Sequence, residues 1–178
     1  RNLKEIPMKQ VSSKLFLGAI VAATALLITL SAIAASYTSM VRVSSIEGGF
    51  SAYMPVTPTE KVDTNVHLFE AEKDDVVYMI GYSDAPNANY SETNQWFGKV
   101  SNAAMNSMHG VIKTTEDFTS QGYSARRLTG ETTDGKMQFI YTMYKGDNRL
   151  YQTIVITSAG QSLPDEAHLF QNSFQITR

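Results

Sequence analysis

The sequence predicts an α+β domain built on a central antiparallel sheet and preceded by an N-terminal apolar helix. Three observations carry this reading. Strand-length runs separated by turn residues follow one another directly, so hairpins join them rather than crossovers. One stretch, residues 91–110, changes to helical period. Residues 15–39 carry no charge and stand ahead of every periodic signal.

The apolar run comes first. Lys9 and Lys14 precede it, and its densest part lies between Leu15 and Leu30, the order of charge and then apolar core that marks an export signal. Ala32-Ile33-Ala34 places small residues where a signal peptidase reads, and Ser36 to Ser39 are polar. Leu15 to Ala35 is 21 residues, close to the roughly 20 that cross a bilayer. Residues 1–35 are therefore read as a signal peptide or a signal anchor. Arg1, Lys4, Lys9 and Lys14 lie before the run and Arg42 is the first charge after it, so the positive-inside rule sends the remainder out of the cytoplasm. Met8-Lys9 reads as a natural start, which makes residues 1–7 an upstream extension or a remnant of cloning. Residues 36–47 are read as a short polar linker and residues 48–178 as one domain.

From Ser36 onward there are 11 Lys and Arg against 16 Asp and Glu, a net of −5. This mildly acidic balance argues against nucleic acid and anionic lipid surfaces, both of which select a basic face. With no cysteine there is no disulfide framework, no thiol nucleophile and no lipidated cysteine. The domain must be stable through its core alone, in a manner that suits bacterial-type export.

Along the domain, "GGFSAYMP" alternates Phe50, Ala52 and Met54 with Ser51 and Tyr53 until Pro55 ends the strand. "NVHLFEAEKDDVVYMIGYSD" gives two strands around a polar tip, Glu72 to Asp75. The helix follows, with Trp96, Phe97, Val100, Ala104 and Met108 at helical spacing, Ser91 as a cap and Gly110 as the stop. Four strand-like runs come next, divided by Gln121-Gly122, Asp134-Gly135 and Gly146-Asp147-Asn148. They read as an antiparallel meander. In "SLPDEAHLFQNSF", Ser162 is the expected cap of a second helix with Pro164 and two acids in its first turn, and Phe174-Gln175-Ile176 closes with a strand.

This order of elements resembles the PsbP-like superfamily. The motifs that carry the likeness are the Gly49-Phe50 strand ending at Pro55, the helix running to His109-Gly110, "GYSARR" at Gly122 to Arg127, "NRLYQTIVIT" at Asn148 to Thr157 and "FQNSF" at Phe170 to Phe174. The resemblance covers about residues 48–176 and implies an α/β/α sandwich over an antiparallel sheet. It also implies an exported domain, generally without catalysis, that binds or assists assembly of a membrane complex. Many bacterial members begin with a lipidated cysteine, which this chain lacks.

Chemistry is sparse. His67, His109 and His168 sit at no metal-ligand spacing, Asp74-Asp75 reads as a solvated turn rather than half a calcium loop, and no nucleophile elbow, phosphate loop or dinucleotide fingerprint occurs. Neither cofactor nor metal is expected. Met105, Met108, Met137 and Met143 with Trp96 read as core, or as the lining of a ligand cleft. Arg126-Arg127 is the most suggestive polar pair: adjacent strand residues face opposite ways, so each guanidinium either pairs with Glu116, Asp117 or Glu131 or offers a fork to an acidic partner. Arg126 and Arg127 are the candidate partner-binding residues, and alanine at Arg126 is expected to change stability little if it is the exposed member. Asn89-Tyr90-Ser91 is a formal glycosylation sequon.

Two functions remain in view. One is a non-enzymatic binding or assembly-assisting module at the outer face of a membrane, contacting a membrane protein or complex through loops and the sheet edge. The other is a small-molecule carrier or hydrolase using a cleft between the main helix and the sheet.

Overall fold

The computed structural model describes residues 39–85 and 93–177. The expected N-terminal helix with its signal or anchor role, the Ser91 cap and the Asn89 sequon lie outside those residues. Among the described residues no helix is long and apolar enough to cross a membrane. The elements run β1 (Val41–Ser45), β2 (Phe50–Met54), β3 (Thr59–Asp63), β4 (Val66–Lys73), β5 (Val76–Asp84), α1 (Thr93–Met108), β6 (Gly110–Ser120), β7 (Tyr123–Thr132), β8 (Met137–Lys145), β9 (Arg149–Ser158), α2 (Asp165–Ser173) and β10 (Gln175–Ile176).

Seven strands form the main sheet in the order β3-β4-β5-β9-β8-β7-β6, and β1-β2-β10 form a second sheet. Every pairing is antiparallel, and β6 to β9 are the expected meander. The tight tips follow from backbone chemistry. Asp74 and Asp75 have φ of 51° and 60°, and Gln121 and Gly122 have φ of 54° and 84°, the paired left-handed residues that match the twist of two-residue hairpins.

Alternation along β8 and β9 separates two faces. On one face α1 packs Phe97 and Met105 against Leu128, Phe139, Tyr141 and Met143. On the other, Gln171 of α2 accepts through Oε1 from the hydroxyls of Thr142, at 2.9 Å, and Thr153, at 2.7 Å. All three residues are buried, so these bonds replace water that the core excludes. The second sheet shares this face through an aromatic cluster. Phe50 stands edge-on to Phe69 at 5.3 Å and stacks on Phe174 at 5.8 Å, and Phe174 stacks on Tyr144 at 4.8 Å. The helices therefore lie on opposite faces of an antiparallel sheet, but the layer expected to hold one helix is a composite of α2 and a small sheet.

Several local expectations are corrected. The segment read as a linker, residues 36–47, contains β1, of which only Val43 is buried; the Val41-Arg42-Val43-Ser44 alternation is too short to stand out from a polar linker. β3 was not foreseen because all five of its residues are exposed. The residue that turns left-handed after α1 is His109, with φ 50°, rather than Gly110. Gly110 opens β6, where an added Cβ would come 2.9 Å from Met105 Sδ and 3.1 Å from the Phe139 ring, so any larger residue there has to displace these side chains. At α2 the N-cap position belongs to Pro164, in extended conformation and without a side-chain cap, not to Ser162. The first turn still carries Asp165 and Glu166.

Two predictions follow from packing. Phe97 is 2% exposed whereas Trp96 is only partly buried against the same cluster. Urea denaturation should show Phe97→Ala losing about 3 to 5 kcal/mol and Trp96→Ala losing less. The glycines make a second contrast. A Cβ at Gly130 would collide with the Val111 carbonyl oxygen and lie 2.5 Å from the Phe139 ring, while nothing lies within 4 Å of one at Gly98, inside α1. Gly98→Ala should therefore raise stability by about 0.5 to 1 kcal/mol, and Gly130→Ala should lower the thermal midpoint sharply.

Candidate functional site

The strand register decides the surroundings of Arg126 and Arg127. On β6 and β7, Asp117 stands opposite Arg126 and Glu116 opposite Arg127. Arg126 donates through Nε and Nη2 to the two Asp117 oxygens at 2.6 and 2.7 Å, and its guanidinium lies 5.2 Å over the Phe97 ring. Arg127, on the other face, donates from Nε to Thr142 Oγ1 at 3.4 Å, places Nη1 3.6 Å from Glu116 and covers Phe118 at 5.1 Å. Glu131, the third expected partner, pairs instead with Lys113 at 2.7 Å. The side chains are 14% and 30% exposed, so Arg127 rather than Arg126 is the more exposed member.

The histidines lie on separate elements. His67 of β4 stacks on Tyr82 at 4.4 Å, with Nδ1 3.5 Å from Glu60 and Nε2 3.9 Å from Glu47. Its two carboxylates thus approach different ring nitrogens and do not converge on one point. His109 makes the left-handed turn after α1, and His168 lies on α2, beside a cavity also lined by Glu131 and Lys113. Among the described residues no three His, Cys, Asp or Glu side chains gather as metal ligands do.

Two surfaces have the makings of recognition sites. The first is the β1–β2 turn. Ile46 there is 100% exposed, yet the backbone around it is held from several sides. Gly49 N–H donates to Ser45 O and Gly48 N–H to Ser45 Oγ, each at 2.8 Å. Arg149 donates from Nη1 to the carbonyls of Glu47, at 2.6 Å, and Gly48, at 3.0 Å, and Tyr151 O–H adds a bond to Gly48 O at 2.9 Å. Arg149 is itself fixed by Asp84, at 3.0 Å from Nη2, and lies 4.9 Å over Tyr82. Burial pushes the Tyr82 hydroxyl upward; a Ser45 hydrogen bond and Arg149 oppose this, and the charges of Glu47 and Glu60 add to it. The other exposed large apolar residues among the described ones are Val41, Val62, Val66, Val111 and Ile112. Each lies on an edge strand or beside a hairpin tip.

The second surface is a groove between α1 and the sheet. Val100, Ala104 and Met108 form its helical wall, spaced four residues apart, and Tyr141, Gln152 and Ile154 contribute from β8 and β9. Its volume is about 340 Å³. At its floor Tyr141 O–H donates to Gln152 Oε1 at 2.5 Å. Burial drives the Tyr141 hydroxyl far above its ordinary range, so it stays protonated and keeps donating. The helix-to-sheet cleft expected from the alternative reading is thus present. Met108 lines it, whereas Met105 and Met143 are core.

The Arg126–Asp117 pair generates a pH prediction. The hydrogen bonds from Arg126 hold the Asp117 carboxyl below the usual carboxylate range, against burial, with the arginine charge helping. A carboxyl whose folded value is depressed stabilises fully above its unfolded value and loses that contribution as pH falls through the folded one. The stability gap between parent and Asp117→Asn should be open at neutral pH and close below about pH 4 in urea titrations. Because Arg126 is mostly covered and stacked on Phe97, Arg126→Ala should also destabilise, contrary to the expectation for an exposed residue.

No protein-family model matches the sequence, and no curated protein does so either. Among solved structures, the solution structure of cyanobacterial PsbP (CyanoP) from Synechocystis sp. PCC 6803 is similar, with a TM-score of 0.55 at 16% identity, covering 78% of this chain and 92% of that one. Protein PA94 of Pseudomonas aeruginosa follows with a TM-score of 0.47 at 12% identity, covering 75% of this chain and 92% of its own. At these identities the likeness concerns fold alone, and that fold is PsbP-like.

Proposed function

We propose that this chain is an exported, non-enzymatic binding module that works at the outer face of a membrane and assists a membrane protein or complex through protein–protein contact. The observation that carries the reading is Ile46, wholly exposed on a turn clamped by Arg149 and Tyr151. A turn whose backbone is already held has met part of the ordering cost that association would impose, and large apolar side chains presented in this way supply much of the energy at interfaces. Val62 and Val66 on the β3–β4 hairpin, whose His67 lies beside Glu47 of the turn, extend the contact as in strand-edge recognition. Three further features support the reading: the basic residues ahead of the apolar run, the acidic balance of the domain and the PsbP-like fold. Arg126 and Arg127 contribute at most through the exposed rim of Arg127, since both are engaged within the fold.

A photoreactive amino acid at position 46, in the protein expressed in its own host, should crosslink to a membrane protein. One at the exposed Asn102 of α1 should not. Ile46→Ser should abolish co-purification of that same protein while changing stability by no more than about 0.5 kcal/mol. Equal crosslinking from both positions, or co-purification that survives Ile46→Ser, would refute the reading.

A further inference from the structure

The groove between α1 and the β8–β9 floor has an organisation that protein–protein contact at the hairpin tips does not explain. We propose that it binds a small, neutral, mainly apolar molecule bearing one carbonyl oxygen, and that this oxygen accepts a hydrogen bond from Gln152 Nε2. The size fits: about 340 Å³ falls at the lower end of the roughly 300 to 1,000 Å³ of small-molecule sites. The lining fits as well. It is largely aliphatic with a few polar groups, and no Lys, Arg, His, Asp or Glu contributes to it. A charged ligand would lose hydration there without gaining a counter-charge, which selects neutral molecules.

The polar feature gives the ligand its second attribute. Tyr141 is fully buried and directs its hydroxyl to Gln152 Oε1. This bond orients the amide by engaging its oxygen and leaves the amino N–H donors for a ligand. A glutamine N–H donor calls for an oxygen acceptor. The neighbouring strand leaves room for this. Gly81 stands opposite Gln152 in the β5–β9 register, and even an added Cβ would lie 3.9 Å from Gln152 Nε2. Gly81 itself places no side chain against that flank of the amide. The wall opposite is equally specific in shape, because Ala104 stands between the larger Val100 and Met108 and forms a notch in the helical stripe.

The site lies away from Ile46 and can be tested separately. The probes are 2-acetylnaphthalene, its hydrocarbon analogue 2-ethylnaphthalene and the anion 2-naphthoate, titrated into the full chain. Binding is followed by calorimetry and by the methyl resonances of Val100 and Ile154. The ketone should bind saturably and move both methyls. It should bind about fivefold more tightly than the hydrocarbon, the worth of one net hydrogen bond, and the anion should bind least. Gln152→Leu should remove the preference for the ketone over the hydrocarbon while apolar binding persists. Ala104→Phe should abolish binding, with folding checked by its thermal transition; should that variant fail to fold, Ala103→Leu on the same wall provides the block. Saturable binding of none of the probes, tighter binding of naphthoate, or a ketone preference that survives Gln152→Leu would each overturn the proposal.

Discussion

Burial of β8 on both faces is the constraint on which the rest of the molecule depends. Tyr141 and Met143 point to one side of β8 and Thr142 and Tyr144 to the other, and all four are buried. A sheet so placed cannot be half-solvated, so two separate covers have to be supplied. The covers differ in kind. α1 lays a single apolar stripe over one face, whereas α2 and the small sheet share the other and are tied to it by rings and buried hydroxyls.

That asymmetry has functional consequences. A single helix covers only part of the face beneath it, and the floor formed by Gln152 and Ile154 continues beyond the stripe of Val100, Ala104 and Met108. A groove results from geometry alone, and its chemistry follows from which β9 residues alternate onto that side. On the opposite face α2 and the small sheet cover the middle of the main sheet, and a cavity lined by Lys113, Glu131 and His168 lies toward its β6 edge. What reaches solvent there is the β1–β2 turn, carried by a sheet whose Phe50 is anchored in the aromatic cluster. The backbone of the turn is held because Arg149 and the buried Tyr151 reach it from β9, so the core also supports the loop that carries the exposed isoleucine.

The polar groups within the fold serve the same end. Arg126 and Arg127 straddle the sheet, each stacked on an aromatic ring and paired with the carboxylate that the register places opposite. Their side chains close the flanks of the two covers, which accounts for two adjacent arginines on an inner strand. The outer strands β3 and β6 end the sheet with mostly charged and hydroxylated residues, which discourages unselective strand pairing. The few aliphatics they carry are confined to short patches.

The sequence by itself determined the α+β class, the meander, the long helix and the closing strand, because each depends on local periodicity and on turn residues such as Asp74-Asp75 and Gln121-Gly122. It also limited the partners of Arg126 and Arg127 to three nearby carboxylates, two of which are the ones engaged. It did not reveal β1 or β3, whose residues are mostly exposed and whose alternation is short or absent, since those strands are held by pairing with β2 and β4 rather than by their own burial. It raised the helix-to-sheet cleft only as an alternative, without its polar floor, and it could not reveal the clamped turn. Gln152 meets Tyr141 across 11 positions and Arg149 meets Gly48 across 101. Contacts at such separations exist only once the strands are in register, and tertiary structure alone decides that register.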